Sequence, residues 1–376
     1  MLRPSLKSGQ KYLAALRQLA LTASGGRVAM IEALRLMQHI VPNDNISIFW
    51  KDKYANIIDH HNEMDIPLSI ALDYLENFTR PTMQNGERNI YHPTIVQAHS
   101  FDVRVTYNNN SPIYNHKQFV NSEFYNRILR PIDLGRAVEM QLLHADITSL
   151  ASITIARSFQ SADYTAAEID LLVQAQPWLE HLARKDDLAV PDTQSIGNGE
   201  SASLLIDARG KVLSSSAFAL SLLHQAADTP LADKPLRQTA QGDASILLRR
   251  LSSSVANALS SLFALPPSLV INNRWGRFQL HAYVLSAFET GAPIQISLHI
   301  EKQVPLSLSL FRLPRFLELT PREREVGLFM LAGLERNEIA RELGVKQSTV
   351  VYFTRQLYRR LDINQQSELL PSLMRA

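Results

Sequence analysis

The chain has 376 residues, of which 45% are hydrophobic and 20% are charged, and it contains no cysteine. This composition excludes a disordered or collagen-like chain, and the missing thiols exclude disulfides, cysteine-ligated metal sites and cysteine nucleophiles. The net charge of +2 does not by itself indicate a nucleic-acid-binding protein. At roughly 150 residues per domain, the length predicts two or three domains.

The N-terminal residues form an amphipathic pattern. Leu13, Leu16, Leu19 and Ala20 recur at helical spacing, so we predict a first helix that packs on the body of the protein. No run of 18 apolar residues occurs, and a membrane-spanning helix is not predicted. We expect a soluble, cytoplasmic protein with no membrane partner.

Residues 1–187 mix predicted strands and helices. The last helix of this segment is the clearest, because Thr165 and Glu168 form a capping box ahead of an apolar stripe. The other predicted elements, in chain order, are strands Asn45–Lys51 and Tyr54–Asp59, helices Ile66–Phe78 and Phe119–Leu129, and strands Arg136–Leu143 and Ser149–Phe159. This order predicts an α+β module of the sensor type.

Residues 186–200 are rich in Pro, Gly and Asp, and residues 188–200 are predicted to be a linker. Residues 201–303 then predict an antiparallel sheet with helices on one face. Its elements are strands Ala202–Ile206 and Lys211–Leu213 around a turn, a short helix to Leu223, and strands Ser268–Asn272, Arg277–Phe288 and Pro293–Glu301. Residues 304–318, with Pro305 and Pro314, are predicted to be a packed connector.

Residues 319–376 predict helices only. Thr320, Pro321 and Glu323 are an N-cap, an N1 proline and an N3 acid, which together begin a helix that ends at Gly333. A second short helix, Arg336–Leu343, stops at Gly344, and a third begins three residues later. Two short helices around a tight glycine turn are typical of a helix-turn-helix.

The same residues resemble a known family. LTPREREV (319–326), AGL (332–334), EIARELGV (338–345), STV (348–350) and LYRRL (357–361) are similar to the LuxR/FixJ-type, GerE-like DNA-binding domain of bacterial transcription regulators. The resemblance implies that Arg336–Leu343 is the scaffold helix and that Gln347–Leu361 is the recognition helix. It also implies DNA contacts by Lys346, Gln347, Ser348, Thr349, Val351, Tyr352, Arg355 and Arg359.

The residues themselves support part of this assignment. Arg355 and Arg359 are four apart, so they share one helix face that can follow the phosphate backbone. Arg360, on the adjoining face, is interpreted as a solvated surface charge. Residues 312–376 also carry 11 Lys and Arg against 8 Asp and Glu, which makes this part of the chain mildly basic.

Several residues depart from the family pattern. Val351 cannot hydrogen-bond a base edge, although its side chain can contact a thymine methyl, and Phe353 is expected to pack rather than to read DNA. Glu335 and Lys346 stand where the family has Ser or Thr caps. Pro371 is expected to interrupt the last helix, through which the family dimerises. We therefore predict that a homodimer forms through the N-terminal modules, with the Thr165–Lys185 helix as the candidate surface.

The two N-terminal modules also resemble known folds. LLIDARGKVLSSSAFALSLL (204–223) resembles a PAS domain, while SEFYNRILRP (122–131) and YTAAEIDLL (164–172) resemble a GAF-like module. The predicted fold class is therefore multidomain α+β, with a GAF-like module at 1–187, a PAS-like module at 201–303 and an all-α helix-turn-helix domain at 319–376. A P-loop is not found in the sequence.

No catalytic or metal motif stands out. His60, His61, Glu63 and Asp65 form the densest group of potential ligands, but a solvated loop is the favoured interpretation. The sequence has no GxSxG, HExxH or GxGxxG motif, so neither an enzyme nor a cofactor is predicted. Aromatic residues are concentrated in the first module and are interpreted as ordinary core rather than a pocket: Trp50, Tyr54, Phe78, Tyr91, Phe101 and Tyr107.

The sequence therefore predicts a transcription regulator that binds specific DNA sequences and whose N-terminal modules receive a signal. Its predicted partners are double-stranded DNA, a second copy of the chain, RNA polymerase, and a small ligand or partner protein that carries the signal. The alternative is an adaptor in which Val351, Tyr352 and Phe353 bind a protein instead of DNA. The two hypotheses differ in whether Arg355 and Arg359 project together from a hydrophilic surface.

Overall fold

The computed structural model describes residues 6–23, 26–52, 57–64, 66–78, 105–107, 117, 120–143, 149–185, 195–228, 244–259, 267–285 and 293–375. Within these ranges the chain forms two five-stranded antiparallel sheets with helices, followed by a helical C-terminal domain. No helix in these ranges is both long enough and apolar enough to cross a membrane.

The first sheet has the order β2-β1-β5-β4-β3. Its strands are β1 (Asn45–Lys51), β2 (Ile57–Asn62), β3 (Val105–Tyr107), β4 (Arg136–Leu143) and β5 (Ser149–Arg157). The bounds of β1 and β4 are those predicted, whereas β2 lies further along the chain than predicted and pairs Asn62 with Ser47 of β1. His61 is consequently buried, and the interpretation of this segment as a solvated loop is wrong. Asp65 lies outside the described residues.

Helices cover both faces of this sheet. They are α1 (Leu6–Thr22), α2 (Gly26–Ile40), α3 (Leu68–Asn77), a π-helical turn (Tyr125–Leu129) and α4 (Ala166–Ala183). α1, α2 and α4 pack together on the apolar face that includes Ile46 and Ile48, while α3 and the π-helical turn contact each other. The predicted capping box is confirmed, because the Thr165 hydroxyl accepts from the Glu168 N–H at 3.3 Å.

Part of the predicted helix Phe119–Leu129 is the π-helical turn, and Phe119 lies outside the described residues. Helix α2 was not predicted, although it belongs to the core. Of the aromatic group, Tyr54, Tyr91, Phe101 and the side chain of Tyr107 also lie outside the described residues. Trp50 and Phe78 do not converge, because Trp50 contacts Trp275 of the second module whereas Phe78 contacts Phe124.

The second sheet has the order β7-β6-β10-β9-β8, which repeats the strand order of the first. Its elements are β6 (Ser195–Asp207), β7 (Val212–Ser214), α5 (Ala217–Ala227), α6 (Ala244–Leu259), β8 (Ser268–Asn273), β9 (Gly276–Leu285) and β10 (Gln295–Pro305). Residues 195–200 were predicted to be linker but belong to β6, because β10 extends to Pro305 and pairs with Ser195 and Gly197. Residues 188–194 lie outside the described ranges.

Residues 306–318 form three short helical segments: α7 (Leu306–Ser309), a 3-10 turn (Leu310–Arg312) and α8 (Pro314–Glu318). This connector segment is anchored by buried apolar side chains, among them Leu308, Phe311 and Phe316. It contacts α2 of the first module and strands β6 and β10 of the second. The connector is therefore packed against both modules.

Charged groups buried between the modules hold them together. The Arg27 guanidinium lies 4.8 Å from the ring centroids of both Trp50 and Trp275 and pairs with Asp59. Asp59 also contacts His224 at 3.4 Å and Arg274 at 3.2 Å, and both belong to the second module or its turns. Burial opposes the ionised form of Asp59, but its hydrogen bond to His224 and the nearby Arg27 outweigh burial and lower its pKa.

A second buried group joins the connector to both modules. Arg312 donates to Glu32 of α2 at 2.6 Å and contacts Glu200 of β6 at 3.3 Å. Arg35 pairs with the same two carboxylates, and Lys302 lies 3.5 Å from Glu200. Burial alone would raise the pKa of Glu200, but Lys302 and Arg35 outweigh it and lower the pKa to about 2.

Candidate nucleic-acid interface

The C-terminal domain consists of α9 (Pro321–Leu331), α10 (Arg336–Glu342), α11 (Gln347–Leu361), a 3-10 turn (Gln366–Glu368) and α12 (Leu369–Met374). Helix α9 begins as its sequence predicts. The Thr320 N–H donates to the Glu323 carboxylate at 2.7 Å, and the Thr320 hydroxyl accepts from the Glu323 N–H at 3.4 Å.

The turn between α10 and α11 depends on glycine. Gly344 has φ of +63°, a left-handed conformation that residues with a Cβ adopt at an energetic cost. It lets the Val345 N–H donate back to the Ala340 carbonyl at 3.0 Å and end α10. The chain can therefore turn directly from α10 into α11.

The helix starts differ from what the missing Ser and Thr caps predicted. At α10 the Glu335 N–H donates to the Glu338 carboxylate at 2.8 Å, so an acid one turn later satisfies this backbone group. At α11 the Lys346 side chain makes no capping hydrogen bond, as expected. Of α9, α10 and α11, helix α11 therefore begins without a hydrogen bond of the capping-box type.

Helix α11 has one buried face and one exposed face. Val350, Thr354, Leu357 and Leu361 are buried against the other helices of the domain. On the opposite side the structure exposes Lys346, Gln347, Ser348, Tyr352, Arg355 and Arg359, whereas Thr349 and Val351 are half-buried. The eight predicted DNA-contacting residues thus lie together along one helix, six of them accessible.

The aromatic residues of this helix have different environments. Tyr352 is 57% exposed, and its ring meets Phe353 edge to face at 5.3 Å. Phe353 is half-buried and packs against the hydrophobic core. Tyr352 is therefore the large apolar group that α11 presents to solvent, while Phe353 supports it from the side of the core.

The three arginines of α11 are not equivalent. Arg360 is 48% exposed and so remains a surface charge, but it also lies 3.3 Å from the buried Glu323 and donates to the Glu318 carbonyl. Among the described residues, no carboxylate pairs with Arg355 or Arg359. Their positive charge, like that of the exposed Lys346, is therefore available to a ligand outside the chain.

A polar cleft of about 380 Å³ lies beside this face, between α9, α10 and α11. Gln347, Asn337 and Tyr358 line it, which places Gln347 at the border between the cleft and the exposed face of α11. The described residues contain no group of three or more His, Asp or Glu side chains that could hold a metal ion.

The domain is attached to the first module through α1. Arg324 of α9 is buried and donates to the Gln18 side chain at 2.6 Å, and Gln18 in turn donates to the Pro321 carbonyl at 2.9 Å. Buried polar groups are rigid anchors because leaving either partner unpaired is unfavourable. The exposed residues of α11 are not covered by this contact.

The last helix, α12, is used within the chain. Leu369 and Leu373 are buried, and the Ser372 hydroxyl donates to the Leu361 carbonyl at 3.0 Å. Pro371 lies in the first turn, where its missing N–H removes no helical hydrogen bond. Pro371 therefore does not interrupt α12, contrary to the expectation.

Comparison with known proteins agrees with this geometry. Residues 317–372 match the GerE family of bacterial regulatory proteins, the luxR family. No curated protein matches the chain. The C-terminal domain is thus a LuxR-family helix-turn-helix domain, of a kind that points to DNA binding and transcription regulation.

Proposed function

We propose, from the LuxR-family domain at residues 317–372, that this protein is a transcription regulator that binds specific DNA sequences. The observation that carries the proposal is the exposed face of α11, where Lys346, Arg355 and Arg359 have no carboxylate partner among the described residues. Phosphate groups of DNA are the natural partners of such a face. The other exposed residues of this face include Gln347 and Ser348, and such a hydrophilic surface supports DNA rather than a protein as the partner.

We assign the recognition of DNA bases to the first turns of α11. Val351 and Tyr352 lie nearer its N-terminus than the two arginines, and the N-terminal part of such a helix contacts base edges. Since the half-buried Val351 offers only methyl groups, it favours the methyl of a thymine. In the same turns, the hydroxyl groups of Ser348 and Thr349 can hydrogen-bond base edges or phosphates.

The two N-terminal modules are proposed to be GAF-like and PAS-like and to receive the signal, either a small ligand or a partner protein. Their antiparallel sheets with helices support this assignment. The buried Arg312 group and the Gln18–Arg324 contact offer a route by which a change in either module reaches the C-terminal domain. Contact with RNA polymerase in the cytoplasm belongs to the same proposal.

We place the homodimer surface on α1 and α4. Leu369 and Leu373 of α12 are buried inside the chain and leave Met374 at its end exposed, whereas Val173 in the middle of α4 is 49% exposed and Leu21 of α1 is also exposed. The two helices are in contact, and Arg17 of α1 lies 5.1 Å from the Trp178 ring of α4. A two-fold contact here fits a regulator that reads two half-sites.

A genome-wide binding assay in living cells tests the proposed function. We expect discrete peaks that share a sequence motif, and we expect the Arg355→Ala/Arg359→Ala variant to lose them although it is folded and equally abundant. If the parent protein gives no peaks under any growth condition, DNA is not its partner. Capture of a protein through Tyr352 would then favour the adaptor hypothesis.

A further inference from the structure

The first sheet has a polar face where a covered sheet is ordinarily apolar. The face opposite α1, α2 and α4 carries alternate residues of its strands, namely Ser47, Lys51, His60, Glu139, Gln141 and Ser152. Each of them is buried or half-buried. Burying so many polar groups on one face is unfavourable unless they are hydrogen-bonded. We therefore expect each of them to have a hydrogen-bond partner, either in the chain or in a bound molecule.

Three of these side chains form a chain of hydrogen bonds. The Lys51 ammonium donates to the Gln141 side-chain oxygen Oε1 at 3.1 Å, and the Gln141 side-chain amide Nε2 donates to the Glu139 carboxylate at 2.7 Å. Burial lowers the pKa of Lys51 to about 8, with Glu139 opposing the shift, and burial raises the pKa of Glu139. The Lys51 amine and the Glu139 carboxyl group therefore lie on the same buried face of the sheet, joined through Gln141.

Ser152 lies in the middle of this group. It pairs in register with Phe49 on one side and Gln141 on the other, so it lies on the strand that separates Lys51 from Gln141. Ser152 is 0% exposed, and its hydroxyl has no hydrogen-bond partner among the described residues. An unpartnered buried hydroxyl is unfavourable, and its presence points to a partner from outside the chain.

Aromatic rings border the same face. Phe49 lies 5.8 Å from the His60 ring and 5.9 Å from the Tyr74 ring of α3, and Tyr74 lies 6.3 Å from Phe124. Burial lowers the pKa of His60 to about 4, so this imidazole is neutral and serves as a flat wall. These rings suit a planar apolar group.

We propose that this face binds a small aromatic carboxylate. The Lys51 ammonium and the Ser152 hydroxyl donate to its carboxylate, and its ring packs against the Phe49 and Tyr74 rings. The single cation beside Glu139 disfavours a doubly charged phosphate, and Lys51 disfavours a cationic ligand. The inference rests on the proposed signal-receiving function of the first module and names the ligand class of that module.

The test measures binding of benzoate, phenylacetate and salicylate to the full chain by calorimetry, with benzamide and inorganic phosphate as comparison probes. We expect at least one carboxylate to bind and both comparison probes to bind at least about tenfold more weakly, since each lacks one of the two recognised features. Ser152→Ala should weaken carboxylate binding about tenfold, and Lys51→Met should weaken it at least as much.

The unliganded variants separate a binding role from a structural one. Because the Ser152 hydroxyl has no partner, Ser152→Ala should leave the melting temperature of the free protein unchanged or raise it. Ser252→Ala is the matched control, since this buried hydroxyl donates to the Leu248 carbonyl at 2.9 Å. It should lower the melting temperature and leave carboxylate affinity unchanged.

Two results would overturn the inference: no carboxylate probe binds the full chain at millimolar concentration, or Ser152→Ala lowers the melting temperature without changing affinity. These outcomes are separate from the fate of the proposed function. A protein that gives motif-containing genomic peaks but binds no carboxylate is a regulator without this site. A protein that binds the carboxylate but no DNA keeps the site and loses the proposed function.

Discussion

Neighbouring arginines on the recognition helix should behave in opposite ways when each is replaced by alanine. Arg359 is exposed and has no carboxylate partner among the described residues, whereas Arg360 lies 3.3 Å from the buried Glu323. Arg359→Ala should therefore remove a phosphate contact and leave the fold intact. Arg360→Ala should leave phosphate contacts unchanged and lower the free energy of unfolding by about 1 kcal/mol, because Glu323 loses a charged partner.

The size of the first effect follows from counterion release. Each phosphate contact contributes about −0.9 to the slope of log affinity against log salt concentration, so raising salt from about 50 to 200 mM weakens each contact about 3.5-fold. The affinity advantage of the parent over Arg359→Ala should shrink by that factor across the range. For Arg355→Ala/Arg359→Ala it should shrink about 12-fold, if both arginines touch phosphates.

The assay is a fluorescence-anisotropy titration of the full chain with a labelled duplex at four salt concentrations, repeated with a duplex of unrelated sequence. Both duplexes should show the same change in slope, because phosphate contacts carry no sequence information. Thermal unfolding of each variant accompanies the titrations. An unchanged slope for Arg359→Ala, or a reduced slope for Arg360→Ala, would refute the assignment of these side chains.

Three further predictions concern the modules and their assembly. Arg27→Met should lower the free energy of unfolding by about 3 kcal/mol in urea denaturation, because it leaves the buried Asp59 without its closest cation and removes the charge between two tryptophan rings. Burial lowers the pKa of His60 to about 4, so the neutral imidazole contributes its full share to the free energy of unfolding above pH 6.5. That contribution is lost as the pH falls towards 4, by up to about 3 kcal/mol, and His60→Phe should be less acid-sensitive. Val173→Glu should convert a dimer to a monomer in sedimentation experiments, whereas Met374→Glu, at a 59% exposed position of α12, should not.

Each of these predictions has an outcome that contradicts it. An Arg27→Met variant as stable as the parent would mean that the contact between the modules contributes little. Equal acid sensitivity of parent and His60→Phe between pH 6.5 and 4 would mean that His60 is not the titrating group. A dimer that survives Val173→Glu and dissociates with Met374→Glu would move the interface to the C-terminal domain.

Local signals explain why the C-terminal domain was predictable. Thr320 and Glu323 cap α9, and Gly344 turns the chain between α10 and α11, all within a few residues of the backbone groups they satisfy. The apolar spacing of Val350, Leu357 and Leu361 identified the buried face of the recognition helix. Such signals need no knowledge of the rest of the chain.

Local patterns did not predict strands and ion pairs whose partners lie far apart in the sequence. Residues 195–200 have few apolar side chains and were assigned to a linker, yet β10 pairs with them and buries Glu200 among basic groups. His61 was assigned to a loop, yet it lies in β2 and contacts Glu63 at 2.8 Å. Arg360 was interpreted as a solvated charge and is 48% exposed, but its ion pair with Glu323, 37 positions away in the sequence, was not predicted.

The sequence by itself determined the helices of the helix-turn-helix domain, the buried face of the third of them and several strands, because these depend on periodicity and on caps within one turn. Only the tertiary structure decided which charged groups pair between the modules, such as Arg312 with Glu32, 280 positions apart. It also decided that Lys51, Ser152 and Gln141 share a buried face, since strand order and register bring them together. Local patterns encode helices and strands, whereas the burial of a charged group depends on partners that only the folded chain brings near it.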